Sequence, residues 1–206
     1  MAATAEPMRR QHFSMIRSFH LADLFTLANG FCGVAAVFQA MSFLMTGARW
    51  RLYAAALLVP VAFVFDVLDG RVARWRHEDS ALGREMDSLA DVISFGVAPA
   101  CIAFAAGIDT VLDQLILVYF VGCGLSRLAR FNITAESLSG GSGKVAHFEG
   151  TPIPTSVVPL ALLMLAFYHG RLYPLRVFEA DVHLVAVLFL ISGSLMISKT
   201  LRIPKF

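Results

Sequence analysis

Four carboxylates between residues 66 and 91 have a spacing that would let them act together. Asp66 and Asp69 are three residues apart, and Asp87 and Asp91 are four apart, so each pair lies on one face of a helix. If the two faces meet, four negative charges cannot all stay ionised unless a cation neutralises them. Clustered oxygen ligands suit Mg²⁺, Mn²⁺ or Ca²⁺, and the lack of clustered histidine or cysteine argues against zinc. The sequence therefore predicts a divalent-metal site.

Small residues share these two faces with the acids. Gly70, Ala73 and Gly83 remove side-chain bulk there, and Arg74 adds a positive charge. This leaves room for a ligand to approach the backbone. The alternative is that the acids are solvated interface charges paired with nearby arginines. We favour that alternative only for the three acids that fall between the two faces, which are Glu78, Asp79 and Glu85.

The elements that must position these residues are membrane helices. The chain is 57% hydrophobic with a mean hydropathy of +0.69, and only 16% of its 206 residues are charged, against roughly 25% in soluble proteins. A membrane helix needs about 20 apolar residues, and fewer where charges flank it. Six segments meet this requirement: Leu24–Met45, Leu52–Leu68, Leu89–Ala106, Val111–Leu128, Ile153–Tyr168 and Val182–Ile197. We expect an all-α integral membrane protein, a single domain over residues 1–206, with six transmembrane helices.

The basic residues predict the orientation of these spans. With both termini inside, 13 of the 17 lysines and arginines fall on the cytoplasmic side, and the exceptions are Arg49, Arg51, Arg171 and Arg176. The four carboxylates then lie at the cytoplasmic face. Residues 1–22 carry Arg9, Arg10 and Arg17 among apolar residues, and form either an interfacial helix or a disordered basic arm. The net charge of +2 suggests no nucleic-acid partner.

A serine- and glycine-rich segment, three cysteines and four histidines are interpreted as structural and not as catalytic residues. Ser137–Gly143 is predicted to be a loop, either a linker or a segment that orders over a substrate. Cys32, Cys101 and Cys123 lie in apolar runs and are predicted to be small buried hydrophobes. The histidines His20, His147, His169 and His183 share no spacing and are predicted to be interfacial.

The carboxylates, glycines and arginine together resemble a family signature. The pattern D-x-x-D-G-x-x-A-R-x8-G-x3-D-x3-D of the CDP-alcohol phosphotransferases is matched at Asp66, Asp69, Gly70, Ala73, Arg74, Gly83, Asp87 and Asp91. That family also has six membrane helices with its site at their cytoplasmic end, so the resemblance covers nearly the whole chain. It implies transfer of a phosphatidyl group from a CDP-linked lipid to an alcohol, with release of CMP.

The resemblance also implies a role for each residue. Asp66, Asp69 and Asp87 would hold the metal, expected to be Mg²⁺ or Mn²⁺, with Ca²⁺ able to replace it. Asp91 would join the metal site and act as the general base. Gly70, Ala73 and Gly83 would admit the cytidine nucleotide, and Arg74 would face its phosphates. Asn29, in a T-x-x-N-x3-G pattern with Thr26 and Gly33, either meets the nucleotide or forms a hydrogen bond between helices.

Other segments resemble the phosphatidylserine synthase branch of the family. These are Asp87–Gly96, Arg127–Asn132 and Phe148–Pro154, with one departure at Thr151, where the branch more often has leucine. Arg127 and Arg130 are candidates for binding the serine carboxylate or a lipid phosphate, or else belong to the positive-inside collar. Asn132 is a candidate for the same pocket or a helix cap.

The resulting prediction is metal-dependent transfer of phosphatidyl from CDP-diacylglycerol to L-serine, giving phosphatidylserine and CMP. Another acceptor, such as inositol phosphate, glycerol phosphate or choline, is the nearest alternative. A divalent-cation transporter is the alternative from another class of protein, and it requires acids near mid-membrane. We expect a homodimer among membrane lipids, in a bacterial inner membrane.

Overall fold

The computed structural model describes residues 21–76, 81–139, 147–177, 180–198 and 202–204. The predicted N-terminal helix or arm lies outside these residues, apart from its last two, and so do Glu78, Asp79 and residues 140–143 of the predicted loop. In the described part the chain is mostly helical.

Seven α-helices within the described ranges account for the predicted segments. They are α1 (Leu21–Thr46), α2 (Arg49–Arg76), α3 (Ala81–Asp91), α4 (Ala98–Ala105), α5 (Val111–Ser139), α6 (Val157–Tyr168) and α7 (Leu184–Ile197). A π-helical turn (Val92–Val97) joins α3 to α4, and a 3₁₀ turn (Ile153–Ser156) leads into α6. Short strands complete the chain: β1 (His147–Glu149), β2 (Pro174–Val177), β3 (Ala180–His183) and β4 (Arg202–Pro204). β1 pairs antiparallel with β4, and β2 with β3. The all-α prediction omits these two small ribbons.

In the part of the chain that the structure describes, four helical stretches are long and apolar enough to cross a membrane, namely Leu21–Thr46, Arg49–Arg76, Leu82–Ala105 and Val111–Thr134. Ile153–Tyr168 and Leu184–Ile197 are apolar but shorter. All six predicted segments are therefore mainly helical, although Val182 and His183 at the start of the sixth belong to β3. Large apolar side chains such as Phe31, Leu57 and Val118 are exposed on the helices, as expected of surfaces that face lipid.

Helices α1 and α2 form a hairpin through a tight turn at Gly47, which has a φ of +67°. Both helices carry small buried residues, among them Ala36 and Ala40 on α1 and Ala55 and Ala62 on α2. Small side chains let two membrane helices approach closely, where van der Waals packing holds them together. This contact fixes the end of α2 that carries Asp66 and Asp69 beside the start of α1.

The π-helical turn lets one segment contact several neighbours. Ser94, Phe95 and Gly96 are consecutive and all buried. Ser94 bonds to α1, and the Phe95 ring packs edge-on against Phe63 of α2 with 6.3 Å between centroids. A regular α-helix does not turn three consecutive residues toward a core as readily, because one face covers only part of each turn. The turn therefore anchors the helix end that bears Asp87 and Asp91.

A buried polar cluster at the start of α5 contradicts one prediction. Thr110 and Asp113 cap this helix reciprocally, since the backbone N–H of each lies 3.2 Å from a side-chain oxygen of the other. Asp113 also accepts a bond from the His183 backbone N–H at 3.0 Å, and its Oδ2 is 2.7 Å from His183 Nδ1. The prediction of an interfacial His183 is wrong, because this side chain closes the β2–β3 ribbon onto α5.

The structure also bears on the loop predicted at Ser137–Gly143 and on the three cysteines. Ser137–Ser139 continue α5 instead of starting a loop. All three cysteines are free thiols, with Cys123 buried and Cys32 and Cys101 half-buried.

Candidate active site

Three of the four carboxylates form a compact group. One oxygen from each of Asp66, Asp69 and Asp87 lies within 4.8 Å of the others. We call these three residues the carboxylate group. The helical spacing of the acids on α2 and α3 is what brings them together, as the sequence predicts. Asp91 is not part of this group, because it lies one turn further along α3 and is bonded to α1.

Helix α1 supports the acids from the side. Thr26 Oγ1 donates a hydrogen bond to Asp69 Oδ2 at 2.8 Å, and Asn29 Nδ2 donates one to Asp91 Oδ1 at 3.0 Å. Both donors are buried, and their spacing of three residues puts them on one face of α1. The sequence left two roles open for Asn29, a nucleotide contact or a hydrogen bond between helices, and the structure shows the hydrogen bond.

A first cavity of about 190 Å³ opens on the α1–α2 side of the carboxylate group. Its lining includes Asp69 and Asp87 together with all four of the remaining predicted nucleotide residues, which are Gly70, Ala73, Arg74 and Gly83. Among the described residues, a Cβ built on Gly70 would meet only the Arg74 guanidinium, at 3.6 Å and beyond. No packing constraint from those residues therefore requires glycine at this position, and Gly70 lines the cavity. Asn29 is absent from this lining.

A second cavity of about 340 Å³ also borders the carboxylate group. Asp66, Asp87 and Asp91 line it together with Arg127 and Asn132, and residues 152–154 form part of its wall. Asp87 thus borders both cavities. Asp69 lines only the cavity that contains Arg74, and Asp66 lines only the one that contains Asp91 and Arg127, while Arg84 lines both cavities like Asp87.

Arg127 is half-buried in the second cavity, and its Nε is a buried donor with no hydrogen-bond partner among the described residues. Buried polar atoms in proteins are nearly always paired, and a guanidinium pairs best with a carboxylate or a phosphate. Arg127 is therefore suited to bind an anion. Arg130, the other predicted residue, is exposed and lines neither cavity.

One residue of the second cavity was open to two interpretations from the sequence. Asn132 Nδ2 donates to Ser88 Oγ at 3.0 Å and is 3.4 Å from Glu85 Oε2, which links α5 to α3 next to Asp87. The helix-cap interpretation is wrong, because Asn132 lies inside α5. Ser88, which follows Asp87 directly, is a cavity residue that sequence reasoning missed; only its place in the resemblance could have indicated it.

The residues fit a divalent cation. The carboxylate group supplies three hard oxygen donors, and Asp87 Oδ1 is buried with no hydrogen-bond partner among the described residues. Such an oxygen is costly to bury unless something pairs with it. Carboxylate oxygens alone, without nitrogen or sulfur, are typical of Mg²⁺ and Mn²⁺ sites.

Comparison with known proteins agrees with this geometry. The family described as CDP-alcohol phosphatidyltransferase matches residues 19–196, which contain every residue of both cavities. The chain belongs to this CDP-alcohol phosphatidyltransferase family. It is 43% identical over 203 residues to the CDP-diacylglycerol–serine O-phosphatidyltransferase of Saccharomyces cerevisiae, a match that covers 94% of this chain and 74% of the yeast protein.

Two further relatives come from other domains of life. A CDP-diacylglycerol–serine O-phosphatidyltransferase of Helicobacter pylori is 35% identical over 188 residues, covering 89% of this chain and 71% of the relative. The archaetidylserine synthase of Methanothermobacter thermautotrophicus is 37% identical over 155 residues, covering 74% and 60%. The bacterial origin expected for this chain stays a prediction, because its relatives include yeast, bacterial and archaeal proteins.

Proposed function

We propose that this membrane protein transfers the phosphatidyl group of CDP-diacylglycerol to L-serine, giving phosphatidylserine and CMP. The observation that carries the proposal is the carboxylate group, which borders both a cavity lined by predicted nucleotide residues and a cavity lined by Asp91 and Arg127. The names of the yeast and Helicobacter relatives support the same donor and acceptor.

Each cavity has a proposed substrate. The cytidine diphosphate part of the lipid enters the first cavity, where Gly70, Ala73 and Gly83 leave room for it and Arg74 faces its phosphates. Asp66, Asp69 and Asp87 would hold Mg²⁺ or Mn²⁺, which when bound neutralises charge on the diphosphate. Serine enters the second cavity, where the Arg127 guanidinium pairs with its carboxylate.

Asp91 is the proposed general base. It borders the second cavity, so its carboxylate can accept the proton of the serine hydroxyl. The hydroxyl oxygen forms a bond to the lipid-linked phosphorus, and the bond from that phosphorus to the oxygen of CMP breaks. The electron pair of the broken bond leaves with CMP. Asp91 lies outside the carboxylate group, and its predicted second role as a metal ligand stays a prediction.

The membrane arrangement is part of the proposal. Six spans, with the site and both termini in the cytoplasm, follow from the distribution of basic residues and from the six apolar helical stretches. We also propose one domain and a homodimer. Four of the stretches are long enough to cross a bilayer core, and the two shorter ones would cross only with flanking residues or local thinning.

The decisive experiment measures CMP release by the purified protein with CDP-diacylglycerol, Mg²⁺ or Mn²⁺ and one alcohol at a time. We expect L-serine to be used far better than inositol phosphate, glycerol phosphate or choline. Asp91→Asn should lower kcat about 10²–10⁴-fold, the usual contribution of a general base. Preference for another alcohol would contradict the assignment of L-serine as the acceptor, and normal turnover by Asp91→Asn would contradict the assignment of Asp91 as the base.

The same preparation tests the transporter alternative. Protein reconstituted in sealed vesicles should release CMP and carry no metal across the membrane. Metal flux without CMP release would support a transporter instead.

A further inference from the structure

The Asn29 side chain contacts Asp91 and has no access to either substrate cavity. Asn29 is fully buried, its Nδ2 donates to Asp91 Oδ1 at 3.0 Å, and it lines neither cavity. A direct contact between this amide and a nucleotide is therefore not available. Whatever Asn29 contributes to the reaction acts through Asp91.

The backbone around Asn29 is fixed to the segment that follows Asp91. Ser94 Oγ donates to the carbonyl oxygen of Asn29 at 2.8 Å, and Ser94 is itself fully buried in the π-helical turn. One turn along α1, a Cβ on Gly33 would lie 2.5 Å from Ser94 Oγ, so only glycine allows this approach. The side chain of Asn29 reaches back to Asp91 while its backbone is held by Ser94. Together these contacts fix the amide and the carboxylate relative to each other.

Packing alone does not explain an asparagine here. Asn29 Oδ1 is buried and accepts no hydrogen bond from the described residues. Burying an unpaired carbonyl oxygen is unfavourable, and an apolar side chain of similar size would avoid it. The opposite amide orientation would place Oδ1 against the Asp91 carboxylate, where two acceptors repel. The useful part of Asn29 is therefore its N–H donor.

We propose that Asn29 is a positioning residue that orients Asp91 for proton transfer. It occupies Asp91 Oδ1 and leaves Oδ2 to accept the proton of the acceptor hydroxyl. In this step the O–H bond of the alcohol breaks, an Oδ2–H bond forms, and the freed electron pair makes the bond to phosphorus. The inference rests on the proposed function, because it assigns Asp91 the role of base in that reaction.

The test compares Asn29→Leu and Asn29→Asp with a matched control on the same helix. Gln39→Leu removes a second amide of α1, which is half-buried and lies ten residues or about 15 Å away. Misplacing a catalytic group costs about 100-fold, so we expect Asn29→Leu to lower kcat by that factor. The affinity for CDP and the KM for CDP-diacylglycerol should stay near wild type. Asn29→Asp should lose more, because two carboxylates then face each other, and Gln39→Leu should turn over normally.

Each other outcome has a definite meaning. Wild-type kcat in Asn29→Leu would overturn the inference, as would a weakened affinity for CDP at unchanged kcat, which would indicate a nucleotide contact. If Asn29→Leu does not fold, Ser94→Ala carries the test, and it should lower kcat several-fold at unchanged affinity for CDP. Wild-type kcat in Ser94→Ala would then overturn it. Wild-type protein that uses another alcohol in place of serine would contradict the proposed acceptor, and the Asn29 variants would be measured with that alcohol.

Discussion

Thr26 offers the cleanest test of the proposed metal site, because one atom can be changed without altering the shape of the side chain. Its hydroxyl donates to Asp69 Oδ2 at 2.8 Å, and Thr26 is 4% exposed. Thr26→Val replaces this hydroxyl with a methyl group of similar size. Asp69 then keeps its place but loses the contact that fixes one of its two oxygens.

The size of the effect follows from the kind of hydrogen bond. A hydrogen bond to a charged group contributes about 1.5–3 kcal/mol. Each 1.4 kcal/mol corresponds to about tenfold in an equilibrium constant, so the variant should bind its metal roughly 10- to 100-fold more weakly. The defect should be overcome by excess metal, because the carboxylate itself remains.

The assay is CMP release as a function of Mn²⁺ or Mg²⁺ concentration, together with direct Mn²⁺ binding by electron paramagnetic resonance. We expect a higher half-saturating metal concentration and a kcat close to wild type at saturation. Thr46→Val is the matched control. Both threonines bond to the carbonyl four residues earlier on α1, but Thr46 lies at the far end of the helix, is exposed and makes that bond to Ser42.

Two results would refute the reasoning. An unchanged metal requirement in Thr26→Val, with normal Mn²⁺ binding, would mean that Asp69 does not hold the metal or does not need orienting. An equal shift in Thr46→Val would mean that loss of the local helix bond, not loss of the Asp69 contact, caused the effect.

Three further predictions address the cavities and the opposite end of α5. Gly70→Ala should raise the KM for CDP-diacylglycerol several-fold at unchanged thermal stability, because the added Cβ enters the first cavity without a clash. Gly122→Ala, where the added Cβ meets no described atom, is the control, and equal KM values for the two variants would contradict the assignment of the first cavity to the nucleotide. Arg127→Gln should raise the KM for serine about 10- to 100-fold, the cost of losing a charge-assisted hydrogen bond. Arg130→Gln, at an exposed position, is the control and should leave this KM unchanged. An increase confined to the KM for the lipid would show that Arg127 binds a lipid phosphate instead. Asp113→Asn should lower the thermal unfolding temperature, because it weakens the buried contact with His183. Both KM values should stay unchanged, because Asp113 lies 14 residues or about 21 Å along α5 from Arg127. Altered KM values would show that the two ends of the helix are coupled.

Local spacing predicted which acids and small residues share a helix face; that the two faces meet was an assumption, and Asp91 lies outside the group that forms there. Asp66, Asp69 and Gly70 lie within five residues of one another, and Gly83 and Asp87 are one helical turn apart, so helix geometry alone puts each set on one face. The apolar segments predicted the helices for a related reason, because a membrane span must satisfy its own backbone hydrogen bonds.

Contacts between residues distant in sequence were not predictable in the same way. Asn132 meets Ser88 across 44 residues, and Asp113 meets His183 across 70. Such pairs depend on how each helix is rotated about its axis and shifted along it relative to its neighbours. The hydrophobic pattern of a lipid-exposed helix defines neither the rotation nor the shift well. The π-helical turn after Asp91 was missed as well, since its apolar residues Val92–Val97 look like any membrane helix.

The position of Asp87 between the two cavities has a stereochemical consequence. If the nucleotide approaches from one side of the carboxylate group and the alcohol from the other, the entering and leaving oxygens lie on opposite faces of the phosphorus. A single displacement of that kind inverts the configuration at phosphorus, whereas a route through a phosphatidylated side chain would retain it after two inversions. Both substrates must then be bound at once, which requires sequential and not ping-pong kinetics.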